Sequence, residues 1–328
     1  MDIVFRDCID SGSEYCPCKL AEAGKCLICS HLSGKDFCDC KNWKGVCIYN
    51  EFIKGGSIAK PLRSWENSIL IDKKELDKNI YEFYIKISKK LAKELTMPGS
   101  FVLLRDKISS VYLDAPISVM EIEEDILRVI IEIKGVKTIA LGEIKIGEEI
   151  LVRGPYWNGI LGIENIKKAI GAKVLLIARG IGEAPIIPII KYLYDKGNTI
   201  ECIIDKSPYK DIFVKEFLER YHIAYEEEKF MNNDGKLTKE FTSKIFNKID
   251  DSGIELIHTS GPDILTYNVY KVCMDKGIKA FTSSNNAHIC CGEGICGACS
   301  VKNEEFKVER GCKLQASPIE ILEGRRLL

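Results

Sequence analysis

Thirteen cysteines gathered in two groups at opposite ends of a 328-residue chain limit the possible folds more than any other feature. Cys8, Cys16, Cys18, Cys26, Cys29, Cys38, Cys40 and Cys47 lie in the first 47 residues, and Cys290, Cys291, Cys296, Cys299 and Cys312 near the other end. Only Cys202 and Cys273 fall between them, in apolar segments where a lone thiol reads as a packing residue. The sequence opens Met1-Asp2-Ile3-Val4-Phe5-Arg6-Asp7-Cys8, with no basic stretch followed by an apolar one, so no secretory signal is read. A reducing, cytoplasmic setting is therefore expected, in which crowded thiols bind metal rather than pair as disulfides.

The C-terminal group has the more specific spacing. With Cys291 first, Cys291, Cys296, Cys299 and Cys312 give C-x4-C-x2-C-x12-C, the plant-type [2Fe–2S] arrangement. Gly292, Gly294 and Gly297 let the backbone wrap closely and aim N–H groups at sulfur. Cys290 is an alternative first ligand with a poorer spacing. A zinc knuckle would pair two C-x2-C units, and only one is present here. His288 could suggest Rieske-type ligation, but four suitable cysteines beside it make it incidental. The N-terminal group holds one C-x2-C and two C-x-C pairs, with Cys16, Cys18, Cys26, Cys29, Cys38 and Cys40 as candidate ligands for a further iron–sulfur cluster or zinc. Which of its eight cysteines bind metal is left open by the spacing.

Charge excludes one class of partner. Lys plus Arg number 47 and Asp plus Glu 48, a net charge of −1, so no basic surface for nucleic acid is implied. Apolar runs such as Val174–Ala178 are far too short to span a bilayer.

Four segments are expected: 1–54, a Cys-rich metal-binding module; 55–165, rich in short strands; 166–284, alternating strands and helices; and 285–328, the iron–sulfur loop. Tyr81–Ile87, Phe101–Leu104 and Leu127–Ile133 read as strands, with a short helix at Lys89–Leu95 stopped by Pro98-Gly99. Short strands without alternating long helices imply an antiparallel β-barrel. Strands at Lys173–Ala178, Thr199–Ile204, Glu255–Thr259 and Lys279–Thr282 alternate with helices at Pro185–Lys196, Asp211–Arg220, Leu237–Ile249 and Asp263–Lys276. That rhythm implies a parallel sheet covered on both faces, an α/β domain of Rossmann type. Gly180 and Gly182 follow a strand and open a helix, where backbone N–H groups can face a pyrophosphate.

Several motifs resemble the ferredoxin–NADP reductase superfamily, over about residues 57–328. Pro98-Gly99-Ser100-Phe101-Val102 is similar to its strand entry, and Pro116-Ile117-Ser118-Val119 to its flavin-contacting Pro-x-Ser-Ile segment. Gly135-Val136-Lys137-Thr138 resembles the turn that receives the FAD pyrophosphate. Arg153-Gly154-Pro155-Tyr156-Trp157-Asn158-Gly159 is similar to the segment that closes the barrel, with Trp157 at a usual Gly. Gly180-Ile181-Gly182-Glu183-Ala184-Pro185 resembles the Gly-x-Gly-x-Ala-Pro nucleotide loop, and Ser260-Gly261-Pro262 the Cys-Gly-Pro where nicotinamide meets flavin. Within the superfamily the likeness is greatest to subunits that join a flavin barrel, a nucleotide domain and a C-terminal [2Fe–2S] loop.

The resemblance implies a flavin-binding barrel, a nucleotide domain and FAD, with NAD(P)H as electron donor. Electrons would pass through FAD and the [2Fe–2S] cluster to a partner protein, either a dihydroorotate dehydrogenase-like subunit or another flavoprotein. Placement of cofactors then does the work, so no catalytic acid, base or nucleophile is nominated, and Ser118 is the residue expected to tune the flavin. Ala115 stands where an Arg often precedes Pro-x-Ser, Arg179 replaces a small residue, and Glu183 puts a carboxylate in the nucleotide loop. These departures motivate the alternative of a redox relay that no longer oxidises NAD(P)H. Asp205, ending the second strand of the α/β domain, is expected to accept from ribose hydroxyls and to favour NADH over NADPH, with Lys206 beside it opposing that preference.

Overall fold

The computed structural model describes residues 6–39, 43–278, 280–303 and 305–326. They form two compact units, one from residues 66–286 and one from residues 1–65 together with 287–328.

The larger unit begins with a seven-stranded sheet. Its strands are β1 (Trp65–Asp77), β2 (Ile80–Lys86), β3 (Phe101–Asp106), β4 (Ala115–Ser118), β5 (Glu121–Glu123), β6 (Ile126–Glu132) and β7 (Glu149–Tyr156), in the order β4-β3-β7-β1-β2-β6-β5. Pairs β3–β4, β3–β7, β1–β2, β2–β6 and β5–β6 are antiparallel. Alternation sets the inner face: Phe83 and Ile85 of β2 and Leu127, Val129 and Ile131 of β6 share one core with Val102, Leu104 and Val152. Closure is visible in two successive hydrogen bonds after β4. Val119 N–H donates to Ser100 O at 3.0 Å and Met120 N–H to Arg128 O at 3.0 Å, so one stretch of chain joins both edges of the sheet. The short helix Lys89–Glu94 is capped by Ser88, whose Oγ accepts from Leu91 N–H at 3.2 Å.

The chain then enters a six-stranded sheet through β8 (Ile160–Leu161). With β9 (Lys173–Arg179), β10 (Thr199–Asp205), β11 (Ala224–Glu227), β12 (Leu256–Ser260) and β13 (Ala280–Ser284), its order is β11-β10-β9-β12-β13-β8. The first five are parallel and β8 runs antiparallel to β13. Strand β9 is buried on both faces from Val174 to Ala178, as the continuous apolar run requires. The order reverses at β9, which has β10 on one side and β12 on the other.

Three sequence expectations shift. The helix expected at Asp211–Arg220 covers only Lys215–Arg220, because Phe213 N–H donates to Glu183 Oε2 at 2.7 Å and holds the preceding residues in a turn. Gly135 caps an unanticipated helix, Val136–Glu143. The helix expected from Leu237 starts at Lys239, where the Thr238 hydroxyl accepts from Phe241 N–H at 3.2 Å.

The smaller unit has short elements: strand Asp7–Cys8 paired antiparallel with Leu314–Gln315, helices Lys19–Glu22 and Ile48–Lys54, a Ser300–Lys302/Val308–Arg310 hairpin, and a terminal helix Pro318–Arg326. Its centre is a buried ionic quartet. Arg63 donates to Asp10 at 2.9 and 3.2 Å and to Glu293 at 3.0 Å, while Lys313 reaches Asp10 and, at 3.2 Å, Glu293. Two cations meet two carboxylates with no net charge, which is the condition for burying them. The Tyr15 ring lies 3.8 Å from the Arg63 guanidinium.

Candidate functional site

The C-terminal ends of β9 and β12 bring the loop residues together. After β9 the chain makes one tight turn over Gly180–Glu183, then Ala184 and Pro185 lead into helix Ile186–Asp195. Gly180 has φ +55°, and a side chain there would also crowd Ser207 O at 3.1 Å. Gly182 is required for a different reason: an added Cβ would stand 2.6 Å from Ser260 O. Ser260, Gly261 and Pro262 leave β12 against this turn, and Ser260 Oγ bonds Ser284 Oγ at 2.7 Å. This is the crevice at a strand-order reversal where open α/β sheets take ligands.

Two expectations about charge near this loop are corrected. Glu183 is fully buried, its carboxyl accepts from Phe213 N–H, and burial pushes it up to about 8. It presents no negative charge to a phosphate. Asp205 is also buried, and its oxygens accept from Ser207 N–H at 3.0 Å and Phe230 N–H at 3.1 Å, with Arg179 Nε 3.3 Å away. Its carboxylate is spent inside the protein, so it gives no reason to prefer one ribose over another. Register explains the pairing, since Arg179 and Asp205 are directly opposed on adjacent strands.

On the barrel, Pro116, Ile117 and Ser118 lie on β4, with Pro116 opposite Leu103 and Ser118 opposite Phe101. Val119 is buried just beyond. Thr138 Oγ1 accepts from Lys134 N–H at 3.0 Å and Gly135 N–H at 3.3 Å, fixing the helix start, while Lys137 Nζ donates to Asp114 O at 2.8 Å. That last bond joins the Gly135 turn to the residue before β4. Sequence reading missed what surrounds it: Arg105 from β3 and Arg153 from β7 flank the buried Asp114 carboxylate at 3.3 and 3.2 Å. Burial raises the Asp114 carboxyl, partly offset by Arg153, Arg105 and Lys137. Three cations around one carboxylate leave a net positive corner next to Ala115. Strand register was the available signal, because Leu104 pairs with both Ala115 and Val152.

The C-terminal cysteines converge. Cys291 Sγ accepts from Glu293 N–H at 3.3 Å and from Cys296 N–H at 3.5 Å. The Cys296 thiol meets those of Cys291 and Cys290. Cys299 and Cys312 are buried and hydrogen-bond one another, which draws the Cys299 thiol down to about 6 and pushes that of Cys312 up. Gly292, Gly294 and Gly297 all have φ between +68° and +79°, the conformation that lets the loop curl round its sulfurs. Sulfurs from four cysteines, amide donors and tight glycines suit an iron–sulfur cluster. Of the N-terminal candidates, Cys16, Cys18, Cys26 and Cys29 lie near one another. Cys38 is exposed, and Cys40 lies outside the described residues. Cys8, not among the candidates, joins the group. Cys202 and Cys273 are buried packing residues, as expected. Among the described residues, no three His, Cys, Asp or Glu side chains stand close enough to hold a single ion, and no helix is long and apolar enough to cross a membrane.

With this geometry the chain was compared with known proteins. No family model matches it. The dihydroorotate dehydrogenase B (NAD(+)) electron transfer subunit of Clostridium acetobutylicum is 28% identical over 223 residues, covering 66% of this chain and 81% of that one. The homologous subunit of Aquifex aeolicus is 26% identical over 250 residues, covering 75% and 93%. The chain resembles the ferredoxin–NADP reductase superfamily. Among solved structures, an NADH-dependent reduced ferredoxin-NADP oxidoreductase aligns with TM-score 0.60 at 24% identity, over 80% of this chain and 94% of that one. A ferredoxin NADP+ reductase from Neisseria gonorrhoeae, with bound FAD and NADP, aligns with TM-score 0.51 at 14% identity over 65% and 92%. The shared fold is that of a flavin-type barrel followed by a nucleotide-type α/β domain.

Proposed function

We propose that this protein is an oxidoreductase subunit that takes electrons from NAD(P)H and delivers them to a partner protein, using FAD and a [2Fe–2S] cluster. The observation that carries the reading is the meeting of Gly180-Ile181-Gly182 with Ser260-Gly261-Pro262 at the strand-order reversal, in one compact unit with the barrel. FAD, when bound, accepts a hydride as an electron pair and the [2Fe–2S] cluster carries electrons singly. The chain's own residues bind and orient. Pro116–Val119 and the Gly135/Lys137/Thr138 helix start are assigned to FAD, with Arg105, Arg153 and Lys137 supplying positive charge for its phosphates. Gly180, Gly182, Ala184 and Pro185 offer backbone donors to the nucleotide pyrophosphate, and Ser260-Gly261-Pro262 backs the nicotinamide. Cys291, Cys296, Cys299 and Cys312 hold the cluster. The expected segments 55–165, 166–284 and 285–328 follow these roles, and a cytoplasmic setting would keep the free thiols reduced. The partner is a catalytic or electron-accepting subunit, a reading supported by relatives named as the electron transfer subunit of dihydroorotate dehydrogenase B.

The relay that no longer oxidises NAD(P)H loses its motive, because Glu183 is withdrawn, Arg179 is engaged by Asp205, and Arg105 and Arg153 offset Ala115. Anaerobic titration tests the reading. NADH or NADPH should bleach the flavin absorbance; if neither does while dithionite does, the enzyme reading is refuted.

A further inference from the structure

The N-terminal thiols have no part in that function, yet they converge. Cys8, Cys16, Cys18 and Cys26 line one small pocket, walled by apolar Leu20 and Ile48. Backbone amides of Asp10, Gly12, Ile28 and Cys29 approach the sulfurs of Cys8, Cys16 and Cys26, whose thiols burial raises; a bound metal would offset that cost, as amide donors do at Cys291. The Asp10 carboxylate beside the pocket is held by Arg63 and Lys313 and is not available as a ligand. Cys38 is exposed, and Cys47, at the N-cap position of the helix Ile48–Lys54, does not line this pocket.

Location separates the possible metals. Cys8 is paired with Leu314 across a two-strand ladder, and Ile9 N–H donates to Lys313 O at 2.9 Å. Cys312 is two residues before Leu314, so Cys8 and Cys312 lie on adjoining stretches of backbone. Lys313, between them, joins the same ionic quartet as Asp10 and Glu293, which belong to the two cysteine groups respectively. Zinc has no redox chemistry and gains nothing from lying beside a one-electron carrier.

We propose that Cys8, Cys16, Cys18 and Cys26 bind a second iron–sulfur cluster, adjacent to the one held by Cys291, Cys296, Cys299 and Cys312. The proposal rests on the reading of the C-terminal site as [2Fe–2S] for its redox rationale, and the test separates the two. Iron, zinc and acid-labile sulfide are measured per chain on the full-length protein purified without oxygen, with EPR after dithionite reduction. One [2Fe–2S] cluster supplies about two irons, whereas two clusters supply about four or more. The expected result is at least about four irons and a matching sulfide content. Cys16→Ser and Cys18→Ser each lose the excess over two irons, Cys296→Ser loses only the binuclear share, and Cys38→Ser loses none. FAD content reports that the larger unit of each variant has folded, and protease sensitivity reports the same of the smaller unit. About two irons with one zinc, or two irons alone, would overturn the proposal and leave the C-terminal reading intact. Iron unchanged in Cys16→Ser and Cys18→Ser would also overturn it. Iron unchanged in Cys296→Ser but diminished in the N-terminal variants would sink the C-terminal assignment instead. Should the N-terminal variants be insoluble, the wild-type iron and zinc contents decide by themselves.

Discussion

Replacing Arg63 with Met should destabilise the smaller unit by about 3–5 kcal/mol. The Arg63 side chain is fully buried and makes three hydrogen bonds to two buried carboxylates. Each bond to a charged group is worth about 1.5–3 kcal/mol, and their sum exceeds the forecast because Lys313 remains and water can enter the site. What is left is two carboxylates sharing one ammonium, a net buried charge. At a urea slope of about 2 kcal/mol per molar, the midpoint for this unit falls by roughly 1.5–2.5 M. Urea unfolding of the full chain under anaerobic conditions, followed by circular dichroism and protease sensitivity, measures it. The pH dependence has a definite sign. Burial alone would raise the Asp10 carboxyl, but Lys313 and Arg63 overcome it and hold the group below its ordinary range. Its contribution is therefore present above the ordinary carboxylate range and is lost as pH falls through the lowered value. Without Arg63 that acid limb begins at a higher pH. Adding Glu293→Gln to the Met variant restores charge balance and should recover more than about 1 kcal/mol. A loss below 0.5 kcal/mol for Arg63→Met, on the order of an ordinary surface change, or strictly additive effects in the double variant, would refute the ionic account.

Further outcomes follow from the larger unit. Gly182→Ala forces a Cβ against Ser260 O, costing about 1–3 kcal/mol locally; NADH-driven flavin reduction should drop while FAD content stays, as absorbance titration would show. Lys137→Met removes the bond to Asp114 O and a phosphate-facing cation, and should weaken FAD binding about tenfold or more, measured by flavin fluorescence on the apoprotein. Glu183, raised to about 8 by burial, binds a proton in the folded state that the unfolded chain has released. Its contribution is greatest below the ordinary carboxylate range and declines as pH rises toward 8, by up to about 1.4 kcal/mol per unit. Glu183→Gln should flatten that slope in urea unfolding at pH 5.5 and 8, and an unchanged slope would count against the assignment. Cys312→Ser should remove the binuclear share of the visible iron–sulfur absorption and spare FAD, read by difference spectroscopy.

Much of the architecture was legible in the sequence because its signals are local. The apolar run Val174–Ala178 could only be a doubly covered strand, and the C-x4-C-x2-C-x12-C spacing needed no partner to be read. What escaped depends on which strands become neighbours. Arg105 and Arg153 gather at Asp114 through register, and no window of sequence contains all three. Glu183 and Asp205 were misjudged because side-chain direction is a tertiary property: one turns inward to Phe213 N–H, the other is consumed by Arg179 and two backbone amides. The strand Trp65–Asp77 was missed for its charged outward residues, and Ala224–Glu227 for being short and polar. Cys8 was left undecided because its place is fixed by pairing with Leu314, some three hundred residues along the chain.

That pairing orders events during synthesis. A unit made from residues 1–65 and 287–328 cannot close until more than two hundred intervening residues have left the ribosome. The leading cysteines must wait, unassembled, while the central unit folds as an insertion between them and their partner strand. Maturation of this protein is accordingly a late step, vulnerable to oxygen for the whole interval, and cells making it have reason to keep nascent thiols guarded until the last segment arrives.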